Sequence, residues 1–262
     1  MKLELSICVV TYNCEAFIER FHRELLESLA GHTDWELLFF DNSPTLATAN
    51  VLLAADHPGH QVFHEGINRG FSYANNRLIE KSHFDFVLLL NPDVFGFTHA
   101  FWTDLMQRAT RDSVRFIRLL NEDGSFQDCV GRFSSLGRPF EKSPDYAAIS
   151  EPATVETGIM AFMLAPRAMF DRVGPLDERF ALYGEDMDWC YRASLKNVPL
   201  IFDPALTLTH VGGASADTRW SHNAARQKKY SAERIFINKH YRGWYRLAML
   251  ALNRVKRLRA AL

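Results

Sequence analysis

The chain has 262 residues, a formal net charge of −1, and 47% hydrophobic and 23% charged residues. This composition is typical of one large globular domain, and the lack of a basic excess argues against nucleic acid as a partner. No apolar run approaches the roughly 20 residues of a membrane-spanning helix, and the N-terminal residues lack a signal-peptide pattern. The four scattered cysteines form no C-x-x-C pair, which indicates reduced thiols of a cytoplasmic protein.

Up to Asp93 the chain alternates short apolar runs with segments of helical periodicity. Ser43 and Pro44 suit the N-cap and the first position of a helix. The predicted order is strand 5–10, helix 14–29, strand 35–40, a turn and helix within 41–55, strand 61–65, helix 70–82 and strand 84–90. Strands separated by helices predict an α/β fold with a Rossmann-like, mostly parallel central sheet covered by helices on both faces.

After Asp93 the alternation becomes irregular. The pattern predicts a helix (97–110), a strand (113–120), a hairpin-like turn (121–126) and a long surface loop (132–150). The predicted elements that follow are a strand-like segment (156–166), a short helix (167–174), a helix after Gly184, and a basic helical segment in the last part of the chain.

Polar side chains follow three of the predicted parallel strands. In open α/β sheets ligands bind beyond the carboxyl ends of the strands. Neither a G-x-G-x-x-G dinucleotide fingerprint nor a G-x-x-x-x-G-K-[ST] phosphate loop follows the first strand. The strand ends offer instead acceptors suited to a nucleobase N–H and to a hard metal ion, namely Thr11, Tyr12, Asn13, Asp41, Asn42, Asn91 and Asp93. The Asp41-Asn42 and Asn91-Pro92-Asp93 segments, taken alone, also suit ordinary turns.

Seven segments occur in this order along the chain: SICVVTYN, DNSPT, NRGFSYANN, LLLNPDV, TGIMAFML, VGPLDERF and YGEDMDWCYR. Together they resemble the inverting nucleotide-sugar transferases of glycosyltransferase family 2, which have a GT-A fold. The Asn-Pro-Asp variant of the Asp-x-Asp motif, GEDMDWCYR and THVGGAS (209–215) are most similar to bacterial rhamnosyltransferases. The resemblance implies a GT-A domain over 1–215, with a nucleotide-sugar half (about 1–95) and an acceptor half (about 96–215), and a helical C-terminal segment over 216–262.

The resemblance also implies roles for the residues that follow the strands. Asp41 accepts a hydrogen bond from the N3–H of a pyrimidine base, and Asn91 meets the ribose. The nucleoside is framed by Thr11, Tyr12, Asn13 and Asn42.

The diphosphate and its metal ion involve three further residues in this comparison. Asp93 matches the metal-binding Asp of the family. His210 resembles a histidine that some relatives place beside the metal; the alternative is a buried, hydrogen-bonded His at a strand end. Arg69 either reaches the diphosphate or is a solvated loop cation. Mg²⁺ or Mn²⁺ would neutralise the charge that develops on the leaving diphosphate.

The carboxylates of YGEDMDWCYR raise the question of which one does chemistry. An inverting transferase needs one base to deprotonate the acceptor hydroxyl. In the family the Asp of the Glu-Asp pair does this, which is Asp186 here. Asp188 has Arg192 four residues later, which predicts a structural ion pair. Glu185 either caps the helix or orients the acceptor. Trp189 either stacks on an acceptor sugar or packs in the core.

The resemblance therefore predicts transfer of L-rhamnose from dTDP-L-rhamnose onto a saccharide or lipid-linked saccharide in bacterial polysaccharide, O-antigen or cell-wall assembly. A UDP-sugar is the alternative donor. A sugar-1-phosphate nucleotidyltransferase would need a Gly-rich, Arg/Lys-containing loop after the first strand, which VVTYNCEAF lacks. A non-catalytic sugar-nucleotide-binding subunit would lack Asp93 or Asp186, and both are present.

The C-terminal sequence is basic, and Glu233 is its last acidic residue. A helical wheel places Arg246, Asn253 and Arg257 opposite an apolar face, which consists of Trp244, Leu247, Ala248, Ala251, Val255, Leu258 and Leu262. Such a helix at 242–262 predicts docking on the inner face of a membrane, or packing on the catalytic domain or on a second subunit of a homodimer.

Overall fold

The computed structural model describes residues 2–54, 57, 59–136, 144–180, 182–212 and 222–259. Parts of the predicted loop 132–150 and of THVGGAS, and Leu262, lie outside the described residues. The elements in chain order are β1 (Lys2–Thr11), α1 (Glu15–Leu29), β2 (Thr33–Asp41), α2 (Ala47–Leu53), β3 (His60–His64), α3 (Phe71–Lys81), β4 (Phe86–Leu90), β5 (Val94–Phe95), α4 (His99–Arg108), β6 (Val114–Leu120), β7 (Val130–Gly131), β8 (Ala153–Thr154), β9 (Thr157–Gly158), β10 (Phe162–Pro166), α5 (Arg167–Val173), α6 (Glu185–Leu195), β11 (Leu200–His210), α7 (His222–His240) and α8 (Gly243–Arg259).

The central sheet has the strand order β3-β2-β1-β4-β10-β6-β11-β5, with β8 paired to β11 beside this path. Strands β3, β2, β1 and β4 are mutually parallel, β10 is antiparallel to its neighbours β4 and β6, and β11 is parallel to β6. Strands β7 and β9 form a separate two-stranded sheet. The expected GT-A architecture, a mostly parallel sheet flanked by helices, is confirmed.

Apolar patterning explains how the first elements pack. In α1 the buried residues include Ile18, Phe21, Leu25 and Leu29, spaced by three or four positions so that they face the sheet together. Strand β4, with the sequence FVLLL, is buried at every residue, as a central strand covered on both faces must be. Among the described residues, no helix combines the length and the apolar character needed to cross a membrane.

Strand β11 was not predicted, although it is among the longest strands of the sheet. Its sequence contains Asp203-Pro204, and its register against β6 shifts between Asp203 and Thr207. Proline lacks the N–H of a ladder bond, and a buried carboxylate is unfavourable unless it is paired. Arg115 pairs with Asp203 at 2.6 Å and makes the irregular strand possible. Because β11 runs parallel to β6, its last residue lies at the carboxyl end of the parallel strands.

The turn after β2 differs from the prediction. Helix α2 begins at Ala47 rather than at Pro44, and Ser43 is not its N-cap. The Ser43 hydroxyl instead donates a hydrogen bond to Asp41, at 2.5 Å. The four cysteines are buried and free.

Candidate active site

The carboxyl ends of the parallel strands form one edge, here called the carboxyl edge. Thr11 at the end of β1 lies opposite Asp41 of β2, which lies opposite His64 of β3. Asn91 follows β4 directly, and His210 ends β11. The structure therefore brings together side chains that are far apart in the sequence.

Asp41 is completely buried, and its two carboxylate oxygens have different surroundings. Oδ1 accepts hydrogen bonds from the Thr11 hydroxyl (3.1 Å) and from the backbone N–H (3.1 Å) and hydroxyl (2.5 Å) of Ser43. Oδ2 has no hydrogen bond to the protein and lies 3.4 Å from Nδ1 of His64. A buried acceptor without a donor favours a ligand that supplies one, such as the N3–H of a pyrimidine.

His64 and Ser43 were not predicted as site residues. The signal for His64 was present, because it lies in the predicted strand 61–65 close to the carboxyl end, and so at the same edge as Asp41. Ser43 was assigned to helix capping, and only the contact with Asp41 reveals its role.

The turn after β1 presents Tyr12 and Asn13 at the carboxyl edge. Asn13 is exposed, and its φ of 46° lies in the left-handed region, which Asn tolerates better than most residues. Its backbone N–H donates to the Ser43 hydroxyl oxygen at 2.8 Å, which joins this turn to the one after β2. Tyr12 is partly buried. Both side chains are therefore accessible from solvent beside Asp41.

Asn42 holds the loop that precedes α3. Its Nδ2 donates to the Gly70 carbonyl, and its Oδ1 accepts from the Arg69 backbone N–H, both at 3.2 Å. The Arg69 guanidinium donates from Nε to Glu65 at 3.2 Å and lies 5.6 Å from the centre of the Tyr73 ring. Its side chain is 51% exposed. In this structure Arg69 is thus a paired, solvated loop cation, and contact with a diphosphate stays a prediction.

The side chains of Asp93 and His210 lie close together at the carboxyl edge. Oδ1 of Asp93 lies 3.2 Å from Nε2 of His210, and both residues are buried. On the other side of the ring, His210 Nδ1 is 2.6 Å from Oε1 of Gln127. The Nε2 of Gln127 donates to Asn121 Oδ1 at 3.1 Å, which leaves its Oε1 as the atom facing His210. In the neutral ring, Nδ1 therefore carries the proton.

A neutral His210 with its proton on Nδ1 directs an unprotonated Nε2 at the Asp93 carboxylate. Two acceptors at 3.2 Å repel each other unless a proton or cation lies between them. Asn91 Nδ2 also approaches Nε2, at 3.4 Å. One carboxylate and one imidazole fit a divalent cation whose other ligands come from the substrate phosphates. Within the described ranges no group of three His, Cys, Asp or Glu side chains could hold a metal ion.

Two adjacent carboxyl groups with raised pKa values begin α6. Burial, and then the charge of Asp186, raise the pKa of Glu185 to about 8, and Glu185 Oε2 has no hydrogen bond to the protein. Burial also raises the pKa of Asp186, although the Met187 N–H (2.7 Å from Oδ1) and the Lys229 charge oppose this. Burial thus disfavours the charged form of both groups, and a negative charge on Asp186 further disfavours ionisation of Glu185.

Contacts with α3 link the start of α6 to the carboxyl edge. Helix α3 begins directly after the loop held by Asn42, and its Ser72 hydroxyl donates to the Phe180 carbonyl at 3.3 Å. Gly184, with a φ of 89°, precedes α6, and a Cβ there would lie 3.0 Å from Phe180 and from Ala232. The residues just before the Glu185–Asp186 pair therefore pack near the first turn of α3, which follows that loop.

Asp188 lies in a cluster of cations. It is completely buried, and Oδ2 accepts from Arg192 Nε at 2.9 Å, which confirms the expected pair. Oδ1 lies 2.6 Å from Lys239 Nζ and 2.7 Å from His240 Nε2, both on α7. Burial alone raises the pKa of Asp188, but the hydrogen bonds from His240 and Lys239 and the charge of Arg192 lower it overall. Asp188 thus attaches α6 to α7.

The position of Trp189 decides between its two predicted roles, stacking on an acceptor sugar and packing in the core. It is completely buried, packs on Phe170, and donates from Nε1 to the Gly174 carbonyl at 3.0 Å. The prediction that Trp189 binds the acceptor by stacking on a sugar is wrong, because no face of its ring reaches solvent. Packing in the core is its role.

Comparisons with known proteins find similarity to glycosyltransferases. The family model for glycosyl transferase family 2 matches residues 6–130. The chain is 28% identical over 272 residues to an N-acetylglucosaminyl-diphospho-decaprenol L-rhamnosyltransferase of Mycobacterium tuberculosis, covering 92% of this chain and 86% of that protein.

Two solved structures share the fold. The mannosyltransferase PcManGT from Pyrobaculum calidifontis, in complex with GDP-Man and Mn²⁺, has a TM-score of 0.66 at 15% identity, with 98% of this chain and 74% of that one covered. TarS 1–349 of S. aureus, in complex with UDP-GlcNAc, has a TM-score of 0.61 at 16% identity, with 96% and 71% covered. The family match over residues 6–130, the relative and the shared architecture agree: the chain is similar to the glycosyltransferases of family 2 and has their fold.

Proposed function

We propose that the protein is an inverting, divalent-metal-dependent transferase that moves L-rhamnose from dTDP-L-rhamnose onto a lipid-linked saccharide. The observation that carries the proposal is the pair of acceptors Asp93 Oδ1 and His210 Nε2, 3.2 Å apart. Such a pair suits Mg²⁺ or Mn²⁺ shared with a diphosphate. The Mn²⁺ named in the PcManGT complex supports a metal in this fold.

A pyrimidine nucleotide is the proposed donor carrier. Asp41 Oδ2 is the acceptor for the base N3–H, with Thr11 and Ser43 fixing the carboxylate through Oδ1. This contact selects thymine or uracil without distinguishing them, so a UDP-sugar is the second candidate. The rhamnosyltransferase named among the relatives supports L-rhamnose, and its name also supports a lipid-linked acceptor.

The proposed chemistry divides between two groups of residues. Asp186 takes the proton from the acceptor hydroxyl, whose oxygen attacks the anomeric carbon on the face opposite the diphosphate. The bond from that carbon to the diphosphate oxygen breaks, and the configuration inverts. Glu185, whose pKa is raised to about 8 by burial and then by the charge of Asp186, would donate a hydrogen bond to the acceptor in its protonated form. Asp93 and His210 would hold the divalent metal, which would supply charge neutralisation for the leaving diphosphate.

Gln127 is proposed as the residue that orients His210. Metal-binding histidines usually donate their second N–H to a fixed acceptor, which sets the tautomer. Gln127 Oε1 accepts from Nδ1 at 2.6 Å, and the Gln127 amide is itself held by Asn121. The arrangement keeps Nε2 free of a proton and directed at Asp93.

The test is a transfer assay with dTDP-L-rhamnose, UDP-GlcNAc and GDP-mannose, each offered with N-acetylglucosaminyl-diphospho-polyprenol. We expect transfer from dTDP-L-rhamnose only, loss of activity in EDTA, and recovery with Mn²⁺ or Mg²⁺. The glycosidic bond should have the anomeric configuration opposite to that of the donor, measured by NMR. Turnover of GDP-mannose alone would contradict the proposed donor. Full activity in EDTA would contradict the role of a metal. A retained anomeric configuration would contradict the inverting mechanism.

A further inference from the structure

Helix α8 exposes an apolar surface, here called the α8 stripe, which consists of Trp244, Leu247, Ala251, Val255 and Leu258. The large side chains are strongly exposed, with Trp244 at 75%, Leu247 at 61%, Val255 at 46% and Leu258 at 59%. Their spacing by three or four residues places them on one side of the helix. Four large apolar side chains in one row form a contiguous surface, unlike the single exposed residues common on soluble proteins.

The opposite side of α8 is buried against α7, although it carries polar residues. Asn253 is only 6% exposed, and its Nδ2 donates to Glu233 Oε2 at 2.6 Å. Lys256 Nζ lies 3.5 Å from the same carboxyl group, and the Tyr230 hydroxyl donates to the Lys256 carbonyl at 3.2 Å. Surface helices normally bury their apolar side. In α8 the side that faces the protein is mixed, with Asn253 and Lys256 beside the buried Met249, and the side with four large apolar residues is left for another partner.

Charge beside the α8 stripe indicates what that partner is. Arg254 is exposed at its border, Arg257 is exposed farther round the helix, and Arg242 is exposed just before α8. No Asp or Glu follows Glu233 in the sequence. A second copy meeting the stripe through a two-fold axis would bring these like charges together. An anionic surface would neutralise them.

We propose that the α8 stripe docks this protein on the anionic surface of a lipid bilayer, with α8 lying in the plane of the surface. The apolar side chains enter the acyl boundary and the arginines contact lipid phosphates. The purpose of docking rests on the proposed function, because a lipid-linked acceptor is held at that surface. Docking would also position the active site, since Lys239 and His240 of α7 bind Asp188 of the catalytic helix α6.

The experiment is co-sedimentation of the full chain with vesicles of phosphatidylcholine, with and without phosphatidylglycerol. We expect binding to the anionic vesicles, released by high salt. The variant Trp244→Ser/Leu247→Ser/Leu258→Ser should bind at least tenfold more weakly. Arg254→Gln/Arg257→Gln should lose the preference for phosphatidylglycerol. The matched control is Leu46→Ser/Leu53→Ser, which removes two similarly exposed leucines (52% and 57%) from another part of the surface and should bind as wild type.

Equal thermal midpoints for all proteins show that each variant is folded. Failure of the wild type to bind anionic vesicles, or undiminished binding by the stripe variant, overturns the proposal. Light scattering tests the alternative partner. If the wild type forms a dimer that only the stripe variant loses, and the wild type does not bind vesicles, the stripe contacts a second copy and the proposal is overturned. The vesicles contain neither donor nor acceptor, so these outcomes are independent of which sugar the enzyme transfers.

Discussion

Replacing Asp188 by Asn separates a structural carboxylate from a catalytic one. The change removes a buried negative charge that faces Arg192, Lys239 and His240. Breaking a buried ion pair by removing one partner costs about 3–5 kcal/mol. The low end applies here for two reasons. In the variant, Lys239 would still pair with Asp177 (2.5 Å), and Arg192 would still donate to the carbonyls of Val173 (2.9 Å) and Pro175 (2.8 Å).

A loss of about 3 kcal/mol lowers the thermal midpoint of a chain of this size by roughly 6–12 °C. We expect that decrease in a calorimetric scan. The kcat of the folded Asp188→Asn enzyme, measured well below the thermal midpoint, should stay within about tenfold of wild type. Removing a general base would lower kcat by more than this, roughly 10²–10⁴-fold. Asp186→Asn is the control and should keep the wild-type midpoint, because burial already disfavours its charged form. A wild-type midpoint together with abolished transfer in Asp188→Asn would refute the assignment and make Asp188 the base.

Asp93→Ala and Gln127→Leu should each weaken Mn²⁺ binding, measured by electron paramagnetic resonance; for Gln127→Leu the expected loss of affinity is roughly 10–100-fold. Gln127→Glu keeps the acceptor oxygen and should restore the affinity. An unchanged affinity in Gln127→Leu would contradict the orienting role of Gln127. Asp41→Asn should weaken dTDP binding in calorimetry by about 1–3 kcal/mol, because an amide N–H would meet the base N3–H; equal affinity would remove Asp41 from base recognition. The pKa values of His22 and His60 are lowered to about 4, first by burial and then by neighbouring histidines, so both are neutral in the folded protein. The unfolded chain binds more protons between about pH 6.5 and 4, so stability is full above this range and falls as pH falls through it. The thermal midpoint should therefore fall with acidification, and less so in His22→Phe; equal falls would contradict this origin.

Much of the fold of the first 95 residues follows from the sequence alone. Strands such as 5–10 and 84–90 are short apolar runs between helices of clear periodicity, so their order and parallel direction are predictable. The convergence of Asp41 and Asn91 follows from that order, since parallel strands end at one edge. These inferences need only local patterns and one topological rule.

The remaining site residues depend on contacts that no local pattern encodes. Strand β11 is interrupted by Asp203-Pro204, and its pairing becomes possible only through Arg115 of another strand. Gln127 lies in a connection with no motif, and its role appears only through His210. Asp188 and Lys239 are brought together by the packing of α7 on α6.

The orientation of a helix is equally difficult to predict. Trp189 lies one turn after Glu185, and this spacing suggested a place beside the acceptor, yet the whole Trp189 side chain is buried. In α8 the same wheel that separates apolar from polar residues does not say which side meets the protein. Asn253 is buried there because Glu233 and the Tyr230 carbonyl accept its amide hydrogens, contacts set by tertiary structure.

The central claim is that Asp186 is the base of an inverting transfer, and one measurement tests it directly. Donor affinity and kcat are determined for Asp186→Asn beside wild type, with dTDP-L-rhamnose and the lipid-linked acceptor. Removing the base while keeping its shape should lower kcat by roughly 10²–10⁴. The dissociation constant of the donor should stay unchanged, because Asp41, Asp93 and His210 are intact. A kcat within tenfold of wild type, with donor binding retained, would contradict the account.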